Sequence, residues 1–592
     1  MATLWTRRDA GQTGIKATAT PAGRTGRLWL AVLIFSALMN PLMLTGPLFM
    51  LQVYDRVIPA RSGATLVVLF VLVVFMYAML TLLDSARIRI LVRIAARYRL
   101  SVEGPVFEAR TRALTLDRTN PVALAALRDV DVVHKAIASP ALLALLDTPW
   151  AFAFFILMFF LHPVLGALAF IGGIVLVGIA LWGQWRTRPF ITEAQNWAQT
   201  AETIAQVTGD DADTITALGM DTAASGLWNA RRREALSATL AVQDRVGIDG
   251  AVARAFRMLM HSAMLAAGAA LVLQGDLSPG LIVAASIITA RTLMPIEILA
   301  TQWTDLRAAL AAERRLRRLV NIKMPQPEIV SGQAKPSGAL VVQRVVITPP
   351  GGGPPLLRIK GFEVPPGRAM GVIGPSGSGK STLARALIGS IPVAAGTLRL
   401  GDDVLPLVPP IGTTLGYLPQ RIVLIDGSIG QNIARFNKDA SAKGIEVAAR
   451  AAGIHTMVVA LTKGYATPVR GAGNRLSGGQ VQRIGLARAL YGEPSLVILD
   501  EPNAHLDAEG SAALNASIRT AKARGAVVLV MAHRPAAITE CEDLLVLEDG
   551  AQVAFGPRDR VLRDMVRNRT AIVQPVAASD QGAARRDHGA GP

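Results

Sequence analysis

Six apolar stretches, each long enough to cross a bilayer as a helix, fill the first half of this 592-residue chain, and none follows them. A hydrocarbon core of about 30 Å takes roughly 20 mostly apolar helical residues. The stretches about Leu28–Val53, Thr65–Leu83, Pro140–Leu161, Val164–Trp182, Phe256–Leu273 and Pro279–Ala300 meet that requirement. Trp29, Trp182, Trp185 and Trp303 lie near their ends, where amphipathic rings favour the membrane interface. An overall apolar share of 51% is too high for a wholly soluble protein, yet residues beyond 338 have the composition of an ordinary soluble domain. The expected fold class is a membrane α-helical bundle of six transmembrane helices followed by an α/β domain.

Basic residues set the orientation. Ten Lys/Arg, from Arg87 to Lys135, lie between spans two and three, and seven, from Arg186 to Arg254, lie between spans four and five. The alternate loops are short and carry only Arg56 and Arg61. The positive-inside rule then puts the N-terminus, both long loops and the C-terminal half in the cytoplasm. A net charge of +18 suits this topology better than nucleic-acid binding, because the basic residues border apolar runs and form no groove-reading module. The first apolar run has no clear cleavage site after it and reads as a signal anchor. The single cysteine, Cys541, excludes an internal disulfide and reads as filler.

The two long loops, about 50 and 70 residues, are too long for simple turns. Their apolar spacing is helical, so they are expected to extend the span helices into the cytoplasm and turn back near Asn120–Leu127 and Thr208–Ala217. Four polar residues stand inside or close to spans: Asn40, Asp147, Arg291 and Glu297. Arg291 and Glu297 could share one cavity, whereas Asp147 and Glu297 could equally be hydrated at span ends. Asn40-Pro41 should kink the first span.

The soluble half carries phosphate chemistry. The buried-strand pattern "RAMGVIG" runs into Gly374, Pro375, Ser376, Gly377, Ser378, Gly379, Lys380, Ser381 and Thr382, and "LARALIGS" continues as a helix. Strand, G-x-x-x-x-G-K-S, helix is the context of a P-loop. Its backbone N–H groups would wrap phosphates, Lys380 would neutralise charge, and the Ser381 hydroxyl would hold Mg²⁺. "SLVILDE" reads as a buried parallel strand with Asp500 at its carboxyl end, in reach of the metal, and Glu501 placed to deprotonate the attacking water. "GAVVLVMAH" ends another strand at His533, where a γ-phosphate would sit. Gln420, in "LGYLPQ", offers a neutral side chain to metal or water. A second Gly/Ser turn, "RLSGGQVQRIGLARAL", opens another helix with Ser477, Gly478, Gly479 and Gln480.

These motifs, in this order and spacing, resemble the nucleotide-binding domain of ATP-binding cassette (ABC) transporters, whose signature is the LSGGQ turn. The resemblance implies ATP and Mg²⁺ as cofactors and two cassettes packed head to tail. Ser477, Gly478 and Gly479 of one copy would then hold the ATP bound by Lys380 of the other, with Asp507 retained in the loop after Glu501, so a homodimer is expected. "NPLMLTGPLFMLQVYDRVIPARS", "SPALLALLDTPWAFAFFILMFFLHPVLG" and "LDEPNAHLDAEG" further resemble the permease/ATPase of bacterial type I secretion systems, in the alkaline-protease exporter branch. That resemblance implies an inner-membrane exporter of an unfolded polypeptide, a protease or repeat protein. It also implies a periplasmic membrane-fusion protein and an outer-membrane channel as partners.

The chain departs from the family pattern in places. "ITPPGGGPP" puts Pro349 where cassettes often stack the adenine on an aromatic, Gly471 stands where exporters often carry a Glu, and His505 fills a place usually held by a smaller residue. None of these removes a group needed for hydrolysis. Small-molecule or lipid export and a low-turnover regulatory module remain as alternatives. A DNA-repair ATPase with the same signature is excluded by the six spans. The expected domains are a polar extension (1–26), the membrane domain (27–304), a linker (305–337), the cassette (338–574) and a disordered tail (575–592).

Overall fold

The computed structural model describes residues 22–117, 120–321, 338–349, 353–405, 414–469, 476–504, 506–532 and 535–564. The chain divides near residue 322 into two compact units.

The first unit consists of α1 (Ala22–Leu42), α2 (Thr45–Gln52), a π-helical turn (Val53–Val57) running into α3 (Ile58–Ala60), α4 (Gly63–Leu116), α5 (Pro121–Ile137), α6 (Pro140–Leu161), α7 (Pro163–Asp210), α8 (Ala212–Ala217), α9 (Asp221–Gln274) and α10 (Pro279–Val320). Local chemistry sets the starts. Pro121, Pro140, Pro163 and Pro279 each take the first helical position, where the missing N–H costs nothing. Asn120 accepts from the N–H groups of Val122 and Ala123, and Ser139 from that of Leu142, satisfying donors that the helices cannot. Gly275, at φ 86°, ends α9.

Among the described residues, six helical stretches are long and apolar enough to cross a membrane. The protein is a multi-pass membrane protein. α4 has 54 residues, about 80 Å at 1.5 Å per residue, so it far outruns the hydrocarbon core. The return leg is different: α5 is a helix of its own, broken from α6 at Ala138-Ser139, because Pro140 cannot supply the next helical N–H. The first span is likewise interrupted after Pro41, at Met43-Leu44.

The polar residues of the spans pair differently from the sequence expectation. Asp147 is no hydrated end residue. Its carboxylate accepts from Arg87 Nη1 at 2.8 and 3.0 Å, from Asn40 Nδ2 at 3.1 Å and from Ser36 Oγ at 2.5 Å, tying α1, α4 and α6 together. Glu297 accepts from Arg257 Nε of α9 at 2.5 Å. Arg291 is exposed and shares nothing with it. Six positions turn a helix through about 600°, which leaves the two side chains roughly 120° apart rather than on one face. Asp55, in the π turn, accepts from Ser278 Oγ at 2.6 Å and from the Gly280 N–H at 2.8 Å, capping α10 from another element. A Cβ at position 280 would lie 2.6 Å from the Asp55 carboxylate, so only glycine fits under this cap.

The second unit holds a ten-stranded sheet: β1 (Leu340–Ile347), β2 (Leu357–Val364), β3 (Ala369–Ile373), β4 (Ala395–Leu400), β5 (Asp403–Val404), β6 (Leu415–Leu418), β7 (Leu496–Asp500), β8 (Val527–Ala532), β9 (Asp543–Glu548) and β10 (Ala551–Pro557). Their order is β5-β4-β1-β2-β10-β9-β3-β8-β7-β6. β9, β3, β8, β7 and β6 run parallel. These strands are buried on both faces, which is why they read as unbroken apolar runs. Val497, Leu499, Val528 and Val530 enter one core, while Ile498, Leu529 and Met531 enter the other. Among the described residues, six α-helices accompany the sheet: α11 (Lys380–Leu387), α12 (Ile429–Ile433), α13 (Ala442–Ala451), α14 (His455–Val459), α15 (Gly478–Leu490) and α16 (Ala508–Ala523).

Candidate nucleotide site

β8 separates β3 from β7, so the carboxyl ends of these three parallel strands gather Gly374–Lys380, Met531-Ala532 and Asp500-Glu501 at one edge of the sheet. Ligands of open parallel sheets bind at that edge. Gly374 leaves β3 at φ 156°, and a Cβ there would fall 2.1 Å from the Leu547 carbonyl oxygen. Gly379, at φ 99°, turns the chain into α11. The loop is thus held as a ring of backbone at the N-terminus of a helix, where N–H groups and the helix dipole both favour anions.

Lys380 is buried and curls back over this ring, its Nζ donating to the Gly374 and Pro375 carbonyls at 2.8 Å each. Ser376 and Gly377 at the tip are exposed. Ser378 Oγ and Asp500 Oδ1 are buried without a hydrogen-bond partner. Burial pushes the Asp500 carboxyl above the usual carboxylate range; a hydrogen bond from Ser381 opposes the shift, and the neighbouring Glu501 charge adds to it. A carboxylate oxygen held dry and unpaired beside a serine hydroxyl is a donor set suited to a hard divalent cation.

Glu501 has a left-handed backbone, φ 50°, rare for a residue with a Cβ. Its N–H donates to the Met531 carbonyl at 3.0 Å, and its Oε2 accepts from Gln420 Nε2 at 3.0 Å. The structure therefore brings Gln420 and Glu501 together from β6 and β7.

The signature turn is built as a helix cap. Ser477 Oγ accepts from the Gln480 N–H, and the Gln480 side-chain oxygen accepts from the Ser477 N–H, a reciprocal box that opens α15. Gln480 is thus engaged in holding the turn. Ser477 and Gly478 are exposed, and no hydrogen bond among the described residues links this turn to the P-loop of the same chain.

Three further residues escaped the sequence reading. Gln482 is buried and donates to the Pro502 carbonyl at 2.9 Å. Arg483, one position on, donates to Asp507 at 3.2 Å and Glu509 at 3.4 Å. Asp507 also accepts from the Gly510 N–H at 2.7 Å, the main cause of a carboxyl held below its usual range. Arg435 closes the other end of α15 by donating to the Arg488, Ala489 and Leu415 carbonyls. α15 is therefore bolted to the segment after Glu501. The charges and amides of "GQVQRIG" carried a helical pattern but no hint of these distant partners.

Pro349 is half-buried, just after β1. His533, His505 and Gly471 lie outside the described residues, as does the tail from 575.

Residues 357–504 match the family profile described as ABC transporter, and residues 29–296 match the ABC transporter transmembrane region. The chain is similar to the type I secretion system ATP-binding protein PrsD of Rhizobium meliloti, at 39% identity over 91% of this chain and 93% of that one. It is also similar to the toxin RTX-I translocation ATP-binding protein of Actinobacillus pleuropneumoniae, at 26% identity over 91% and 77% of the two chains. Among solved structures, a bacterial Atm1-family ABC exporter with ATP bound shares the fold, with a TM-score of 0.80 at 21% identity, covering 94% of this chain and 99% of that one. The chain belongs to the ABC transporters, as an ATP-driven type I secretion exporter whose transmembrane domain and ATPase cassette lie on one polypeptide.

Proposed function

We propose that the protein works as a homodimer in the bacterial inner membrane, hydrolysing ATP at two shared sites to move an unfolded polypeptide, of protease or repeat-protein type, out of the cytoplasm. One observation carries the shared site: an exposed, fully formed signature cap with, among the described residues, no hydrogen bond to the P-loop of its own chain. A second cassette supplies what the first lacks. Gly374–Ser378 and Gly379 bind phosphate through backbone N–H groups, Lys380 leaves the Gly374 and Pro375 carbonyls for phosphate oxygens, and Thr382 sits in the same helical turn. Ser477, Gly478 and Gly479 close on the ATP of the other copy, held in place by Gln480, and Asp507 steadies the adjoining loop.

Ser381, Gln420 and Asp500 fit Mg²⁺, on the strength of the unpaired Asp500 oxygen. The bound metal would neutralise charge on the β- and γ-phosphates. Glu501 takes the proton of the attacking water once Gln420 releases its carboxylate; for His533, outside the described residues, the resemblance implies a role at the γ-phosphate. The membrane unit works with a periplasmic fusion protein and an outer-membrane channel, the partners that the resemblance to type I secretion systems implies. Residues 27–304 form the membrane domain, 338–574 the cassette and 1–26 a cytoplasmic extension; residues 305–320, expected as the start of the linker, instead continue α10 and pack within the first unit, because Ala312, Leu316 and Leu319 are buried there.

Inverted vesicles test the cargo class. With ATP outside, they should take up an unfolded protease-type polypeptide, and uptake should stop in Glu501→Gln. Uptake of lipid or small amphipathic probes without polypeptide would overturn this reading in favour of small-molecule export.

A further inference from the structure

Arg291 stands on α10 about 18 Å from the first residue of that helix, at 1.5 Å per residue, close to mid-depth of a 30 Å core. Its side chain is exposed, and so is Met294 one turn on, whereas Thr292 and Leu293 beside it are buried. Neither bilayer surface is within easy reach, so a guanidinium here cannot face lipid without a heavy cost.

Arg291 forms no ion pair among the described residues. The apolar stretches contain two carboxylates, Asp147 and Glu297, with Asp55 and Asp84 just past the ends of two of them, and each of the four is engaged. Asp84 and Asp147 hold Arg87, Glu297 holds Arg257, and Asp55 caps α10. A second copy of the chain carries the same four, already engaged, so it brings no free counter-charge at this depth. Anionic lipid headgroups lie at the surfaces, too far away. Two copies of Arg291 facing each other without water would repel. What remains is a watery passage and a transient acidic visitor.

We propose that Arg291 lines an aqueous path through the membrane unit and pairs with carboxylates of the polypeptide in transit, so that acidic segments are the ones it engages. This rests on the polypeptide-export reading and adds the charge of the cargo segment. The pairing would be a charge-assisted hydrogen bond, bidentate where the carboxylate presents both oxygens.

Two measurements test it on the full chain in nanodiscs. In Arg291→Cys, a water-soluble sulfonated thiol reagent should modify the new cysteine; the native Cys541 is buried, with its thiol pushed up to about 12, and stays silent. Modification only by a lipid-soluble maleimide would place residue 291 against lipid and overturn the proposal. Separately, a fluorescent Glu/Gly peptide should bind wild type better than its Gln/Gly counterpart. Arg291→Gln should weaken the Glu/Gly peptide about tenfold, the worth of one charge-assisted contact, and Arg291→Lys should restore most of the loss. Equal binding to wild type and Arg291→Gln would remove the role of Arg291. If wild type ignores the acidic peptide yet takes up polypeptide in vesicles, this inference falls and the export reading stands. If vesicle uptake of polypeptide is absent too, both fall.

Discussion

Glu501 combines three constraints that rarely coincide on a surface acid: a left-handed backbone, an N–H anchored to the Met531 carbonyl and a carboxylate held by Gln420. Strain of this kind persists only where the surroundings over-determine it, and it fixes the direction of the side chain before substrate arrives. Glu501→Gln keeps shape and hydrogen bonding but removes the base. ATP binding should survive while turnover falls by about 10²-fold or more, the scale of a general base. Steady-state hydrolysis within a few-fold of wild type would contradict the assignment. Asp500 adds a pH dependence. Burial raises its carboxyl above the usual range in the folded protein, so the folded state favours the protonated form and this group contributes destabilisation as pH rises past its unfolded value. Hydrolysis needs the ionised form, so the acid limb of the ATPase profile should sit above that of an ordinary aspartate. Raising Mg²⁺ should move the limb to lower pH, because a cation favours the carboxylate; a limb indifferent to Mg²⁺ would exclude Asp500 as its source.

At the scale of elements, α15 is the part most heavily fixed. A capping box holds its start, Gln482 and Arg483 tie its side to the segment after Glu501, and Arg435 closes its end. Burial pushes the Arg435 guanidinium down to about 10, with Arg488 adding repulsion, so it is still charged at neutral pH. Arg435→Ala would leave buried carbonyls unsatisfied, a loss of about 3 kcal/mol. That should lower the cassette transition by roughly 5–10 °C in a thermal scan of the purified protein. Arg435→Lys should recover little, since an ammonium cannot reproduce the fork; full recovery would mean that charge alone matters. These ties explain where sequence reading stops. Six membrane helices and the strand–turn–helix around Lys380 were legible because hydropathy, periodicity and Gly/Ser turns are local properties of the chain. Arg435 with Ala489, Gln482 with Pro502, and Asp147 with Arg87 and Asn40 join residues 20 or more positions apart; the local pattern marks Asn40 and Asp147 as polar residues in spans but names no partner for them, and it marks neither member of the other two pairs. The shared cavity for Arg291 and Glu297 fails on angle instead: six residues turn the helix about 600°, a third of a turn short of two, so the side chains diverge.

For the whole molecule, the shared-site proposal gives each chain two half-sites: one cassette per chain, and an exposed signature turn that among the described residues has no hydrogen bond to its own phosphate loop. Symmetric pairing of identical chains completes both at once, and it makes the two sites distinguishable by mutation. A Lys380→Ala chain and a Ser477→Arg chain each give a homodimer with both sites damaged. Mixed together, they place the two lesions on one site and leave the other intact. The mixed dimer should therefore hydrolyse ATP well above either parent, approaching half the wild-type rate where a single intact site turns over alone. Tandem affinity tags isolate that species, and the ATPase assay on it is decisive: rates no higher than the parents' would mean that Ser477 serves the ATP of its own chain, whereas a monomer in detergent with full activity would remove the need for a second copy altogether.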